Sequence, residues 1–180
     1  MENLKKDIIS KIPKEIQYVL FSATYKGEVN ARISEFVTKA YQIKVKIEAL
    51  KHPKLQVFRY RVPSKTKIDF LMEIFNDSLC VQCVVFVNTK AFAETVFRKM
   101  KEQGFKPCII FSKMDNDERD EYIRKFRERE VNFVITTNML SRGIDIPEIK
   151  LVVNFDIPKQ KVDGKFVPDS ENYLHRIGRA

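Results

Sequence analysis

The sequence predicts an α/β fold built on a parallel sheet with helices on both faces. Short β-branched runs alternate with longer segments of helical period, and this order indicates parallel strands joined by helical crossovers. The run at residues 81–87 is nearly all apolar, which is typical of a strand buried on both faces. Because ligands of such sheets bind at the carboxyl ends of the strands, we expect the functional residues in the loops that follow them.

Helical periodicity and end signals define the elements after residue 55. Ile68, Leu71 and Phe75 recur at the spacing of one helix face, Gly104 is suited to end a helix, and Asp115 to begin one. The predicted helices are residues 64–75, 90–103 and 116–129, and the predicted strands are residues 56–62, 81–87, 108–111, 133–136 and 151–155.

The first 50 residues form a separate unit in this interpretation. A strand at 17–21, a helix at about 27–40 and a strand around 43–47 precede a polar segment that contains Pro53. We therefore expect a domain boundary at that segment. The predicted division is residues 1–50 as one domain, 51–57 as a linker and 58–180 as a second domain.

The charge of the chain is strongly asymmetric. Of its 33 Lys and Arg and 24 Asp and Glu, residues 1–67 contain 15 basic and 6 acidic side chains, and residues 68–180 contain 18 of each. A basic excess predicts a polyanionic partner, although a solvated basic surface explains the same charge. A nucleic-acid face in the later part therefore depends on local placement of Arg, Thr and backbone N–H groups.

Composition also bears on where the protein works. The longest apolar runs fall far short of the roughly 20 residues that a membrane span needs, so no membrane insertion is expected. Three cysteines and an N-terminus without an apolar signal segment predict a reducing, intracellular compartment. Cys80 and Cys83 have the spacing of zinc and redox sites, but no second pair completes a metal site, and we predict buried core thiols.

Two segments carry residues suited to phosphate chemistry. In residues 136–147, a Gly beside an Arg can present N–H groups and a guanidinium to phosphate, and Asp145 can accept from a ribose hydroxyl. In residues 173–180, a His and two Arg can serve a transferring phosphoryl group or bind a carboxylate. Taken alone, the first segment is better explained as a polar turn closed by Pro147.

Together with two earlier motifs, these segments resemble the DEAD-box RNA helicases of superfamily two. Residues 21–24, Phe-Ser-Ala-Thr, look like the family's Ser-Ala-Thr motif, and residues 86–89 look like motif IV. Residues 136–147 look like motif V, and residues 175–179 like the front half of motif VI. The order and spacing match across nearly the whole chain.

A closer resemblance is to the mRNA-export branch that works at the cytoplasmic face of the nuclear pore. It is carried by residues 154–158, Asn-Phe-Asp-Ile-Pro, and by the longer loop at 159–172 that precedes Tyr-Leu-His-Arg. The family's fold implies that residues to about 50 are the last strands and helix of a first RecA-like domain. The remainder then forms most of the second RecA-like domain.

The resemblance implies roles for ten residues. In the family scheme, Arg179 faces the γ-phosphate and His175 couples to the first domain. Contact with the RNA sugar-phosphate backbone implies binding that is independent of sequence and sensitive to salt. The expected catalytic residues are Arg179 and His175; the ATP contacts are Asp145 and Arg179; the RNA contacts are Thr89, Arg119, Thr137 and Gly143; the interdomain residues are Ser22, Thr24 and Arg142.

Departures from the family pattern limit what this chain is expected to do. Ser112 and Lys113 replace a Gly and an acidic residue, which leaves their contact with RNA open. The chain contains no Gly-x-x-x-x-Gly-Lys-[Ser/Thr] loop and no Asp-Glu-Ala-Asp, and it stops before the Gly-Arg that closes motif VI. Because an arginine finger contributes about three to five decades in rate, we expect the chain alone to be inactive.

The resemblance implies an ATP-dependent helicase that remodels RNA or RNA–protein complexes, with mRNA export as the process. ATP with Mg²⁺ is the expected cofactor, with the magnesium ligands in the first domain, and RNA, nuclear-pore and mRNA-export factors are the expected partners. The cytoplasm and the nuclear pore or nucleus are the expected locations. Apolar residues within 1–50 predict non-native self-association. Two alternatives stay open: an RNA-binding or adaptor module without ATPase activity, and a translation-initiation or splicing DEAD-box helicase.

Overall fold

The chain divides into two compact units, residues 1–51 and 52–180. In the first unit, the described residues are exposed and belong to no helix or strand, so the predicted strand at 17–21 is wrong for residues 17 and 19–21. The predicted helix at 27–40 and residues 44–47 of the next predicted strand lie outside the described residues. The computed structural model describes residues 11, 13, 17, 19–21, 41–43, 55–77, 82–112, 114–138 and 149–179.

The second unit alternates helices and strands in the predicted order. Most boundaries agree with the prediction to within about two residues. The helix predicted from residue 64 begins instead at Lys67, after a turn in which Thr66 N donates to Pro63 O at 3.1 Å. The elements are α1 (Lys67–Asp77), β1 (Cys83–Phe86), α2 (Lys90–Glu102), β2 (Pro107–Ile110), α3 (Asn116–Arg127), β3 (Phe133–Thr136), β4 (Leu151–Asn154), β5 (Lys159–Val162), β6 (Lys165–Pro168) and α4 (Ser170–Ile177).

The four central strands form one parallel sheet in the order β2-β3-β1-β4. Phe86 at the end of β1 pairs with Thr136 at the end of β3 and with Asn154 at the end of β4. The strands therefore end together at one edge of the sheet. The predicted parallel sheet is confirmed, and its carboxyl edge brings together loops that are far apart in sequence.

Alternate residues of the strands face two separate cores. Val85 packs with α1 and α2, whereas Val84 and Phe86 pack with Ile123 and Phe126 of α3. A side-chain period of two produces this division, and the near-complete apolarity of β1 follows from burial on both sides. Helices on both faces of the sheet, as predicted, are confirmed.

The end signals predicted for the helices are also confirmed. Gly104 has φ 85°, the left-handed conformation that glycine adopts without strain, just after α2. Asp115 precedes α3, and its carboxylate accepts from Asp117 N at 2.9 Å. No helix among the described residues combines the length and apolarity needed to cross a membrane.

Two predictions for the second unit are wrong. Residues 56–62 form no strand; Phe58 and Tyr60 there are 71% and 63% exposed. Alternating β-branched and aromatic residues favour an extended chain, but a strand also needs a neighbour that completes its hydrogen bonds. The predicted loop at 159–172 is instead the β5–β6 hairpin followed by α4.

A tight turn explains the hairpin. Asp163 and Gly164 lie between β5 and β6 with φ 48° and 79°, and positive φ at both central residues is the condition for a type I′ turn. The base of the hairpin is closed by Asp169 N, which donates to Pro158 O at 2.8 Å. Asp169 then begins α4, because its carboxylate accepts from Asn172 N at 3.0 Å. The hairpin thus leads directly into the helix that carries His175.

Candidate functional site

The candidate site lies at the carboxyl edge of the parallel sheet. Asn88 and Thr89 follow β1, Thr137 and Asn138 follow β3, and Asp156 follows β4. Because the three strands are paired in register at their last residues, these loops lie side by side. Motifs IV and VI and the start of motif V therefore meet where the fold class predicts a ligand site.

Arg176 of α4 connects these loops. Its guanidinium donates from Nε to Asn138 Oδ1 at 3.0 Å and from Nη2 to Asn88 Oδ1 at 3.2 Å. Nη1 donates to Asn154 Oδ1 at 3.2 Å and to Asp156 O at 2.8 Å. A single planar group thus satisfies acceptors from the ends of three strands, which a lysine ammonium with three donors cannot do.

Arg176 is fully buried, and neighbouring groups stabilise the positive charge of its guanidinium. Burial lowers the pKa of Arg176 to about 10, while the negative charges of Asp156 and Asp169 act in the opposite direction. The guanidinium also lies 5.0 Å from the centroid of the Phe86 ring. It therefore remains a cation at neutral pH and holds the loops together by charge-assisted hydrogen bonds.

Asp156 is a second connection at the same edge. Its Oδ2 accepts from Asn88 N at 3.1 Å, and its Oδ1 accepts from Lys67 Nζ at 3.2 Å. Lys67 also lies over the ring of Phe155, with its nitrogen 4.2 Å from the centroid. The first residue of α1 is thereby joined to the loop after β4 and to the loop after β1.

Thr89 and Thr137, both predicted to contact RNA, lie at this edge. Thr89 begins α2 and is exposed, and its hydroxyl oxygen accepts from Phe92 N at 3.2 Å. The O–H hydrogen of a threonine that caps a helix is still available to donate, for example to a phosphate oxygen. Thr137 is half-buried between the buried Thr136 and Asn138, one of the acceptors of Arg176.

Arg119, the third predicted RNA contact among the described residues, lies further along the same edge. It belongs to the first turn of α3, which follows β2, the neighbour of β3 in the sheet. Its Nε donates to Asp120 Oδ1 at 3.3 Å, and its side chain is 27% exposed. Arg119 thus lies at the same sheet edge as Thr89 and Thr137, and it takes no part in the hydrogen bonds of Arg176.

The two predicted catalytic residues flank Arg176. His175 lies on α4 with Nε2 3.7 Å from Glu171 Oε1, one helical turn earlier. Arg179 follows the end of α4, and its backbone N–H donates to Arg176 O at 3.2 Å. The helix therefore carries both residues on the same short segment that Arg176 fixes against the sheet.

Five predicted site residues lie outside the described residues. They include the ribose contact and the Gly of motif V, and both hydroxyl residues of the Ser-Ala-Thr motif. Their predicted roles stay predictions. These residues are Ser22, Thr24, Arg142, Gly143 and Asp145.

From the sequence, Arg176 is predicted only to share in phosphate or carboxylate binding with its neighbours, and the asparagines that accept from it are assigned no role. The sequence does contain a signal for them: an asparagine ends or follows three strands of the parallel sheet, at Asn88, Asn138 and Asn154. A buried cation needs several acceptors, and these amides supply them. The repeated asparagines at one sheet edge therefore mark the acceptors of a buried donor.

The cysteine prediction is confirmed for Cys83. Cys83 and Cys108 are free thiols with no exposed surface, and Cys80 lies outside the described residues. Burial raises the pKa of Cys83 strongly and that of Cys108 to about 12, which keeps both thiols neutral. Among the residues described, no group of three His, Cys, Asp or Glu is placed to hold a metal ion.

Residues 66–180 match the family described as the helicase conserved C-terminal domain. The chain belongs to this helicase family. The match covers all four strands of the parallel sheet, the hairpin and α4, so it includes the whole candidate site.

Relatives and solved structures narrow the family further. The ATP-dependent RNA helicase DBP5 of Meyerozyma guilliermondii is 41% identical over 169 residues, 93% of this chain and 34% of that protein. The structure of S. cerevisiae Dbp5 bound to RNA and ADP BeF3 matches with a TM-score of 0.84 and 32% identity, over 98% of this chain and 45% of that one. A variant S. cerevisiae Dbp5 bound to Nup159, a variant Gle1, IP6 and ADP matches with a TM-score of 0.61 and 31% identity, over 98% and 44%.

These matches confirm the resemblance to DEAD-box RNA helicases, the RecA-like fold and the similarity to the C-terminal helicase portion. The chain spans about a third of the length of the curated DBP5 relative and less than half of the two Dbp5 chains. The family assignment thus rests on this helicase portion.

Proposed function

We propose that this chain supplies the RNA-binding and nucleotide-responsive second domain of an ATP-dependent RNA helicase that remodels RNA or RNA–protein complexes. The observation that carries the proposal is the buried Arg176, which joins the loops of motifs IV and V to motif VI through Asn88, Asn138 and Asp156. A hydrogen-bonded connection between predicted RNA contacts and predicted phosphate contacts is one physical route by which the binding of the two ligands can be coupled.

The RNA part of the proposal rests on the chemistry of the exposed edge. Thr89 offers a hydroxyl donor, Arg119 a guanidinium, and Thr137 a further hydroxyl at the end of the sheet. Hydroxyls and guanidinium groups bind phosphate oxygens without distinguishing bases. We therefore propose that the chain contacts the sugar-phosphate backbone at this edge, with Gly143 as a further contact.

The nucleotide part concerns the segment around α4. We propose that Arg179 faces the γ-phosphate, that His175 couples to the first domain, and that Asp145 binds the ribose. A guanidinium at the γ-phosphate stabilises charge that develops during phosphoryl transfer. Ser22, Thr24 and Arg142 would transmit the nucleotide state between domains. Magnesium supplies charge neutralisation at the phosphates, and we place its ligands in a first RecA-like domain.

The sequence of this chain supports the further proposal that it does not hydrolyse ATP by itself. Its 180 residues contain neither the phosphate-binding loop nor the Asp-Glu-Ala-Asp motif that the family uses for triphosphate and magnesium. Residues 1–50 are proposed to belong to the first RecA-like domain and residues 58–180 to the second. ATP turnover would then require the remaining parts of a first domain.

Partners and location are proposed from the matched proteins. The S. cerevisiae structures contain RNA with ADP BeF3 in one case, and Nup159, Gle1, IP6 and ADP in the other. We propose that this chain likewise binds RNA and nucleotide, that it interacts with nuclear-pore and mRNA-export factors, and that it acts in the cytoplasm and at the nuclear pore. We propose mRNA export as the process, following the resemblance to the mRNA-export branch of the family.

RNA binding by the 180-residue chain tests the proposed function. Two single-stranded oligonucleotides of unrelated sequence should bind with equal affinity, and binding should weaken as salt increases. Arg119→Gln should weaken both equally and reduce the salt dependence, because it removes a phosphate contact. Arg98→Gln is the matched control: this arginine is exposed on α2, and its ion pair with Glu102 is at 4.0 Å. Strong preference for one sequence, or equal effects of both variants, would contradict the proposal.

A further inference from the structure

We propose that the β5–β6 hairpin is an accessory docking surface for single-stranded RNA, with Phe166 as a base-stacking platform and Lys159 and Lys161 as phosphate contacts. The inference rests on the proposed RNA-binding function and extends it to a surface outside the motifs. No residue of the hairpin belongs to the predicted RNA contacts described above.

The register of the hairpin defines the proposed surface. Lys161 pairs with Phe166, and Lys159 pairs with Pro168. Directly opposed residues of antiparallel strands point to the same face, and alternate residues of one strand do so too. All four residues are exposed. One face of the hairpin therefore presents an aromatic ring directly opposite Lys161 and diagonal to Lys159, and we call it the lysine–phenylalanine face.

The chemistry of this face suits a single-stranded nucleic acid. The Phe166 ring is 73% exposed, although burial of an aromatic side chain is strongly favourable. Exposed aromatic rings flanked by cations bind single strands because bases stack on the ring while the cations contact the phosphates. Residues 159–168 also carry three lysines and a single acidic residue, Asp163, which gives the hairpin a net positive charge. This charge complements a phosphate backbone.

The position of the hairpin is continuous with the candidate RNA edge. Asn88 Nδ2 donates to Ile157 O at 2.8 Å, immediately before the hairpin. Thr89, the next residue after Asn88, is one of the predicted backbone contacts. Asp169 N closes the hairpin by donating to Pro158 O. The base of the hairpin is thus hydrogen-bonded to the loop that carries Thr89, so the hairpin begins beside a predicted RNA contact.

RNA is the occupant that these observations favour over a protein segment. On the lysine–phenylalanine face, each apolar residue of β6 lies opposite a lysine of β5, so the face is not a continuous apolar patch. On the opposite face of the hairpin, Gln160 and Val167 are half-buried, whereas Val162 and Lys165 near the turn are exposed. An acidic protein segment would satisfy the lysines, but it would not account for the continuity with the Thr89 loop.

Fluorescence anisotropy with the 180-residue chain and oligouridines of about 6 and 20 nucleotides tests the proposal. Phe166→Ala should weaken binding of the longer oligonucleotide about tenfold, as expected for one lost base stack, and change the shorter one less. Phe166→Tyr should retain the affinity, because it keeps the ring. Val162→Ala, on the opposite face, is the control. Thermal unfolding of each variant confirms that the domain is folded.

Salt dependence gives a second measurement. For single strands, the logarithm of affinity falls with the logarithm of salt by about 0.7 per phosphate neutralised. Replacing Lys159 and Lys161 together by Gln should therefore reduce the magnitude of the slope by about 1.4. An unchanged slope would contradict the assignment of these lysines to phosphates.

The outcomes separate this inference from the proposed function. If Phe166→Ala binds both oligonucleotides like the wild type while Arg119→Gln is weakened, the hairpin proposal is overturned and the proposed function stands. If binding of an acidic peptide requires Phe166 but binding of RNA does not, the hairpin proposal is likewise overturned. If the wild-type chain fails to bind either oligonucleotide even at low salt, both proposals fail.

Discussion

Arg176 Nη2 donates to Asn88 Oδ1 at 3.2 Å across 88 residues of sequence. The bond joins the helix that carries His175 to the loop that carries Thr89. The same guanidinium also contacts Asn138, next to Thr137, and the loop after β4. The helix that carries His175 and the loops that carry Thr89 and Thr137 are therefore attached to one buried cation.

We predict that Arg176→Lys lowers the free energy of unfolding by about 1–3 kcal/mol, because lysine leaves buried amide oxygens without donors. Chemical denaturation measures the change. Arg98→Lys, on the exposed face of α2, is the control and should change stability by less than about 0.5 kcal/mol. Equal stability of the two variants would show that the guanidinium geometry is not required.

Phe126 is fully buried between α3 and the sheet, where it packs in the core that contains Val84 and Phe86. We predict that Phe126→Ala lowers the free energy of unfolding by about 3–5 kcal/mol through lost burial and the cavity left behind. Tyr122→Ala, a partly buried neighbour on α3, should cost clearly less. Calorimetry or denaturant titration measures the stability of both variants. Similar losses of unfolding free energy in the two variants would mean that α3 does not pack as described.

The buried thiols make stability depend on alkaline pH. Burial raises the pKa of Cys108 to about 12, above the roughly 8.5 of an unfolded thiol. Folding therefore favours the neutral thiol. The contribution of this preference to the free energy of unfolding is fully present below about pH 8.5 and decreases as the pH rises toward 12. At pH 10 the loss is about 2 kcal/mol.

Cys108→Ala removes this titration and tests it. The variant should be less stable than the wild type at pH 7, since it loses apolar contacts, and the difference should narrow between pH 8 and pH 10. Denaturation at several pH values measures the difference. A gap that stays constant over this range would mean that Cys108 does not ionise on unfolding, contrary to its burial.

The first unit is predicted to self-associate. In this unit, Phe21 is 93% exposed, Val19 is 64% exposed and Tyr41 is 92% exposed. Large exposed apolar groups favour association, so the 180-residue chain should form concentration-dependent oligomers in light scattering. Phe21→Ser should shift the distribution toward monomer, whereas Ser112→Ala should leave it unchanged. A monodisperse monomer at high concentration would contradict the prediction.

Much of the sheet could be predicted from sequence because its signals are local. The apolar run of β1 and the cap at Asp115 each depend on residues within one element. The Asp163–Gly164 turn is an equally local signal, but the family resemblance predicts a loop over residues 159–172 and therefore no hairpin. The failed strand at 56–62 shows the converse: propensity alone does not supply a neighbouring strand.

The center of the site could not be predicted in the same way. The acceptors of Arg176 lie 20, 22, 38 and 88 residues away in sequence. Only the strand order β2-β3-β1-β4 brings their loops together. Motif patterns identified the neighbours His175 and Arg179, since those residues match a family signature. The residue between them acts through tertiary contacts that no local pattern contains.

RNA-stimulated ATP hydrolysis tests the proposed helicase function most directly. The assay uses the full-length helicase, to which this chain is proposed to supply the second domain. We predict that RNA stimulates ATP hydrolysis by the unaltered protein. Arg179→Ala should reduce the stimulated rate by about three to five decades while RNA binding persists. Arg98→Ala is the matched control and should leave the rate unchanged. Retained RNA binding without any stimulated hydrolysis in the unaltered protein would contradict the helicase account and favour an adaptor module.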